Sequence, residues 1–153
     1  MADQEIETLK PAVPSPGDVI AIETEKGMRH VQVTHHCSPY PDIVRAVHPV
    51  FRSGAAEDIA KGKTAFTAMV ELSGALQDKA ARTKLIGRAS VPSECREFPT
   101  FRLPIRNRDG EVVYWWAWDG EELRILPDAA DEELPIREVV PIDALRMRLA
   151  ELG

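Results

Sequence analysis

Gly110-Glu-Val-Val-Tyr-Trp-Trp-Ala-Trp-Asp119 gathers all three tryptophans and one of the two tyrosines into a single short segment. It directly follows an Arg-Asp-Gly turn. Large rings bury wide areas and suit a pleated, half-buried surface, so the segment reads as the central strand of a small β fold and its anchor. Period-2 alternation places Tyr114, Trp116 and Trp118 on one side and Val113, Trp115 and Ala117 on the other. One side must be core. The other is expected to lie under a C-terminal helix, or else to form an exposed aromatic platform for a peptide, base or sugar.

Two turns frame this strand. Asn107-Arg-Asp-Gly110 and Asp119-Gly120 tolerate the positive backbone torsions of tight hairpins, which predicts a meander of Thr100–Arg106, the tryptophan strand and Leu123–Leu126. An earlier meander starts at Gly17. Asp18–Glu23 is β-branched, Thr24-Glu-Lys-Gly27 supplies a turn, and Met28–His36 returns with Val31, Val33 and His35 toward the core and His30, Gln32, Thr34 and His36 opposite. Ile43–Val47 follows as a third strand.

Ser53–Gly62 predicts a short helix with Ser53 as its cap. Thr64–Leu72 reads as a strand, Gly74–Ala81 as a helical turn and Lys84–Ala89 as another strand. In Pro141–Leu152, Ile142, Leu145, Leu149 and Leu152 recur at helical spacing and predict a closing amphipathic helix. The expected architecture is mainly β (α+β): a strongly bent antiparallel sheet or a small, partly open SH3-like barrel with a C-terminal helix. Residues 1–16 form a proline-rich arm and 17–153 one β-rich domain.

A chain of 153 residues, 44% hydrophobic and 29% charged, is of ordinary globular composition. Its net charge of -6 disfavours nucleic acid and anionic membranes as partners and favours a basic protein partner. Two cysteines, Cys37 and Cys95, are too few for a disulfide framework, and no signal peptide or membrane-length apolar run is visible, so a cytoplasmic setting is expected.

No catalytic motif, cofactor motif or metal-ligand spacing stands out. His30, His35, His36 and Cys37 form the densest polar cluster, yet neighbours on a strand face opposite ways, which leaves at most two on one side and too few for a metal. The histidine adjacent to Cys37 in sequence faces away from it on a strand and no helix N-terminus follows, so Cys37 reads as a structural cysteine. Arg102, Arg106 and Arg108 alternate as a possible anion stripe, with Glu111, Asp119, Glu121 and Glu122 near enough to neutralise it across strands.

The opening Pro16-Gly-Asp-Val-Ile-Ala-Ile, its glycine turn and Val31-Gln-Val resemble the immunity protein 26 type domain of bacterial polymorphic toxin systems. The same hairpin is similar to that of the plasmid-maintenance endoribonuclease toxins, SH3-like barrels whose second strand starts with a catalytic Arg-Pro. Met28-Arg29-His30-Val31 has the arginine without the proline. The immunity resemblance implies no active site and agrees with an acidic balance suited to a basic partner. The first expectation is therefore a non-catalytic protein-binding role, with Tyr114, Trp116, Trp118, Arg29, His30 and His36 as candidate binding residues and an acidic loop at Asp128–Glu133. The alternatives are an endoribonuclease with His30 or His36 as general base beside Arg29, and a small-ligand reader using Trp116 and Trp118.

Overall fold

The computed structural model describes residues 14–36, 40–49, 54–126 and 134–152. Cys37, the Ser53 cap, the Asp128–Glu133 loop and residues 1–13 of the arm lie outside them.

β-Branched runs punctuated by glycine turns build a six-stranded sheet in the order β5-β1-β2-β3-β4-β9. Its strands are β1 (Asp18–Thr24), β2 (Gly27–His35), β3 (Asp42–Val47), β4 (Thr64–Val70), β5 (Thr83–Arg88) and β9 (Val139–Val140). Pairing is antiparallel except for the parallel β4–β9 contact. A second sheet, β6-β7-β8, comprises β6 (Phe101–Arg106), β7 (Val112–Trp118) and β8 (Leu123–Leu126). The mainly β, α+β architecture is as expected, but neither sheet closes into a barrel.

The helices are α1 (Ala56–Ala60), α2 (Leu72–Gln77) and α3 (Ile142–Ala150), with 3-10 turns at Lys79–Ala81 and Ser93–Cys95. The start of α1, at Ala55, makes no side-chain capping bond.

One face of the large sheet, with Ile20, Ile22, Val31, Val33, Val44, Ala46, Ala68 and Val70, packs against Leu145 and Leu149 of α3 and Leu72 of α2. The spacing predicted for the closing helix is thus borne out. Arg29 fastens its end: Nε donates to Leu149 O, which also accepts from Leu152 N, and Nη2 donates to Leu152 O, both Arg29 bonds at 3.2 Å.

The opposite face is buried as well. Val19, Val47 and Ile59 cluster at one end, and Ile43 and Met69 join Phe101 and Trp118 of the small sheet at the other. Every residue of β3 is buried in consequence. The principal core therefore belongs to β1–β4, and the tryptophan strand is central only to the smaller sheet.

A bulge at Thr34 alters the expected alternation. Val33 pairs with Val44 and His35 with Ile43, so the extra residue turns His35 away from the valine face to the side of Ile43. There it meets Phe98 edge-on at 5.3 Å.

Backbone hydrogen bonds of the segment before β9 also stitch the two sheets together. Arg102 N donates to Pro135 O and Arg137 N to Arg102 O, each at 2.8 Å, making a parallel bridge between β6 and Ile136. Glu138 N then bonds to Ile136 O at 3.0 Å, a three-residue turn that swings the chain over to β4 as β9. Together the strands form one sharply bent array.

Candidate functional site

The small sheet owes its geometry to its turns. Asn107 Oδ1 accepts from Asp109 N and Glu111 N, and Asp119 Oδ1 accepts from Glu121 N and Glu122 N at 3.0 and 2.9 Å. Those two backbone N–H groups hold the Asp119 carboxyl below the usual range for aspartate. Gly120 follows at φ +98°, where a Cβ would also stand 2.9 Å from the Phe98 ring, so glycine is required twice over.

Register then sorts the side chains. Phe101 pairs with Trp118 and Trp118 with Leu123; Leu103 with Trp116 and Trp116 with Ile125; Ile105 with Tyr114. Directly opposed residues share a face, so one side of the meander is apolar across all three strands. Its Phe101–Trp118 end is sunk in the fold. Trp118, 4% exposed, lies 4.9 Å from the Tyr40 ring and 5.4 Å from Phe98, with the Arg137 guanidinium 4.3 Å from its centre.

The rest of the face is open. Ile125 is 64%, Leu123 47% and Tyr114 44% exposed, beside half-buried Leu103, Ile105 and Trp116. The expected cover by the C-terminal helix is not found, because α3 is engaged on the large sheet. Nor is the platform built as the alternation implied: Trp118 belongs to its buried foundation, and the aliphatic Ile125, Leu123, Leu103 and Ile105 complete what Tyr114 and Trp116 begin. Those four were legible in the alternation of Phe101–Arg106 and Leu123–Leu126.

The other predicted residues are dispersed. Arg29 is committed to the α3 carbonyls. His30 is buried at 6% exposure, and desolvation, with the adjacent Arg29 charge second, lowers its pKa below the usual histidine value. At the far end of β2, His36 Nδ1 lies 2.5 Å from Asp42 Oδ1. Burial raises the Asp42 pKa above the ordinary aspartate value, against the opposing pull of His36. Both His35 nitrogens are engaged: Nε2 donates to Arg96 O, and Nδ1 stands beside Thr34 Oγ1, each at 2.9 Å. No three metal-binding side chains converge among the described residues.

The arginine stripe is satisfied differently from expectation. Arg102 Nε donates to Leu134 O and its guanidinium stacks 4.5 Å from Trp115, while Arg106 Nη1 donates to Gly110 O. None of Arg102, Arg106 and Arg108 forms an ion pair with a carboxylate among the described residues. The carbonyls of the turns and connecting segment are nearer to hand than the acidic side chains.

One buried polar group escaped the sequence reading. Arg45, 1% exposed, donates from Nη2 to Ala60 O at 2.6 Å and from Nη1 to Gly62 O and Thr64 Oγ1. It lines a recess of about 200 Å³ with Thr34, His35, Thr67 and Cys95, whose Sγ is 3.5 Å from Thr64 Oγ1. Burial lowers the Arg45 pKa from the usual arginine value.

No helix of the described residues is long and apolar enough to cross a membrane. No protein-family model, curated protein or solved structure matches the chain.

Proposed function

We propose that this protein is a non-catalytic binding protein, immunity-like in kind, that recognises a protein partner through the open apolar face of the β6–β8 meander. The observation that carries the reading is the exposure of Tyr114, Leu123 and Ile125 as one continuous patch with Leu103, Ile105 and Trp116. Contiguous apolar surface of this kind on a folded protein marks an interaction site, and a rigid sheet carrying aromatic anchors suits a protein partner.

The net charge of -6 favours a basic partner, drawn in by long-range attraction before the apolar contact forms. The ribonuclease reading has less support, since Arg29 is held by the end of α3 and His30 is buried beside it. A cytoplasmic setting fits the reading and is proposed with it.

The test is affinity capture from the host cell with the wild-type protein and with Ile125→Lys in parallel. A single stoichiometric basic protein retained by the wild type, lost with Ile125→Lys and weakened by salt supports the reading. Equal capture by both proteins, or none, contradicts it.

A further inference from the structure

β4 is an edge strand for most of its length. Its outer side pairs with β9 only at Met69 and Val70, and from Thr64 to Ala68 no strand lies alongside among the described residues. At a rise of about 3.3 Å per residue, that leaves roughly 16 Å of strand edge with alternate N–H and C=O groups facing outward.

The cause is the turn at Ile136–Glu138. Continued straight back from Val139, the connecting segment would run parallel to β4 beside Thr64–Ala68. The segment bridges to β6 at Arg102 instead and leaves that lane without a strand among the described residues. A cleft of about 590 Å³ results, bounded by Ala65–Ala68 on one side and Leu134–Ile136 on the other.

The walls carry charge. Arg102 spends Nε on Leu134 O and has its guanidinium over the Trp115 ring, 4.5 Å from its centre. Arg148, exposed on α3, lies 3.9 Å from the centre of the Phe66 ring. Among the described residues neither makes an ion pair, and Glu138 is the one carboxylate lining the cleft. Guanidinium groups laid on aromatic rings are held in place with donors free to grip a carboxylate bidentately.

We infer that the Thr64–Ala68 stretch of the β4 edge is a docking site for an extended, carboxylate-bearing segment of a partner protein, which adds as a strand. The backbone of Thr64–Ala68 supplies main-chain hydrogen bonds, the usual source of affinity in strand addition, and Arg102 and Arg148 select alternate acidic side chains. This site is separate from the open face of β6–β8 and does not depend on it.

The probe is the hexapeptide acetyl-Glu-Val-Glu-Val-Glu-Val-amide, titrated into the full chain, with lysine replacing glutamate in a control. Amide hydrogen exchange and NMR shifts locate the contact. Expected are saturable binding of the acidic peptide alone, slower exchange at Ala65–Ala68, and about tenfold weaker binding with Arg148→Glu, a surface change that leaves the core intact. A second variant, Arg102→Gln, is expected to weaken binding in the same direction. Absence of binding, indifference to both substitutions, or shifts confined to Tyr114, Trp116 and Ile125 overturns the inference. So does protection of Ala65–Ala68 in the peptide-free chain that vanishes when residues 1–13 are deleted, because the chain itself would then hold the lane.

Discussion

Arg45 donates from Nε to Gln32 Oε1 at 2.8 Å, directly across the β2–β3 pairing, and both side chains are buried. Gln32 Nε2 passes the connection on to Ala89 O at 3.0 Å, while the Arg45 Nη groups hold the end of α1. A cation enclosed among carbonyls and an amide thus ties β2, β3 and β4 to the end of α1 and, through Gln32, to Ala89 after β5. Arg45→Met is expected to lower the unfolding free energy by about 3–5 kcal/mol, since it strips partners from several buried acceptors at once. Urea unfolding checks this, and a loss below about 1 kcal/mol would mean the network is incidental.

His30 sets an acid-side dependence. Its folded pKa lies below the ordinary histidine value of 6.5, so as pH falls through 6.5 the unfolded chain takes up a proton that the folded chain refuses. Its contribution is complete above the unfolded pKa and declines toward the lowered folded one. His30→Gln is expected to flatten the fall in stability just below that value, measured by urea unfolding at closely spaced pH. An unchanged slope would show that His30 titrates normally.

Asp42, its pKa raised by burial, works in the other direction. The folded Asp42 pKa stands above 3.8, so the fold loses stability as pH rises from the unfolded value through the folded one, with the penalty complete above both. His36 restrains that rise. His36→Ala is therefore expected to move the Asp42 pKa further up, read from its side-chain carboxyl carbon by NMR titration. A downward move would contradict the pairing.

Arg29→Ala tests whether that arginine is structural. Removing the donor to Leu149 O and Leu152 O is expected to cost about 1–2 kcal/mol and to speed amide exchange in the last turn of α3. Loss of partner binding with α3 undisturbed would return Arg29 to the candidate binding residues.

The turns were the most legible part of the chain. Gly27 (φ +109°) and Gly120 mark hairpins by local chemistry alone, and the leucine spacing of α3 reads equally well. Long-range choices were less accessible. Alternation in β2 could not reveal that a bulge at Thr34 would re-aim His35, nor that both faces of the large sheet would be covered. Tryptophan density drew attention to β7, although the larger core is made of valine and isoleucine. Arg45 resembles any surface arginine in sequence, because its acceptors lie on α1 and the loop after it. The open face was half legible: Tyr114 and Trp116 were visible, but α3 engages the large sheet, and that depends on tertiary packing.

Hydroxyl-radical footprinting of the free protein reads that face most directly. Ile125, Leu123 and Tyr114 are expected to oxidise readily, with Trp118 protected in the same sample. Protection of Ile125, Leu123 and Tyr114 together would mean the meander is already covered, and the proposed partner surface would not exist.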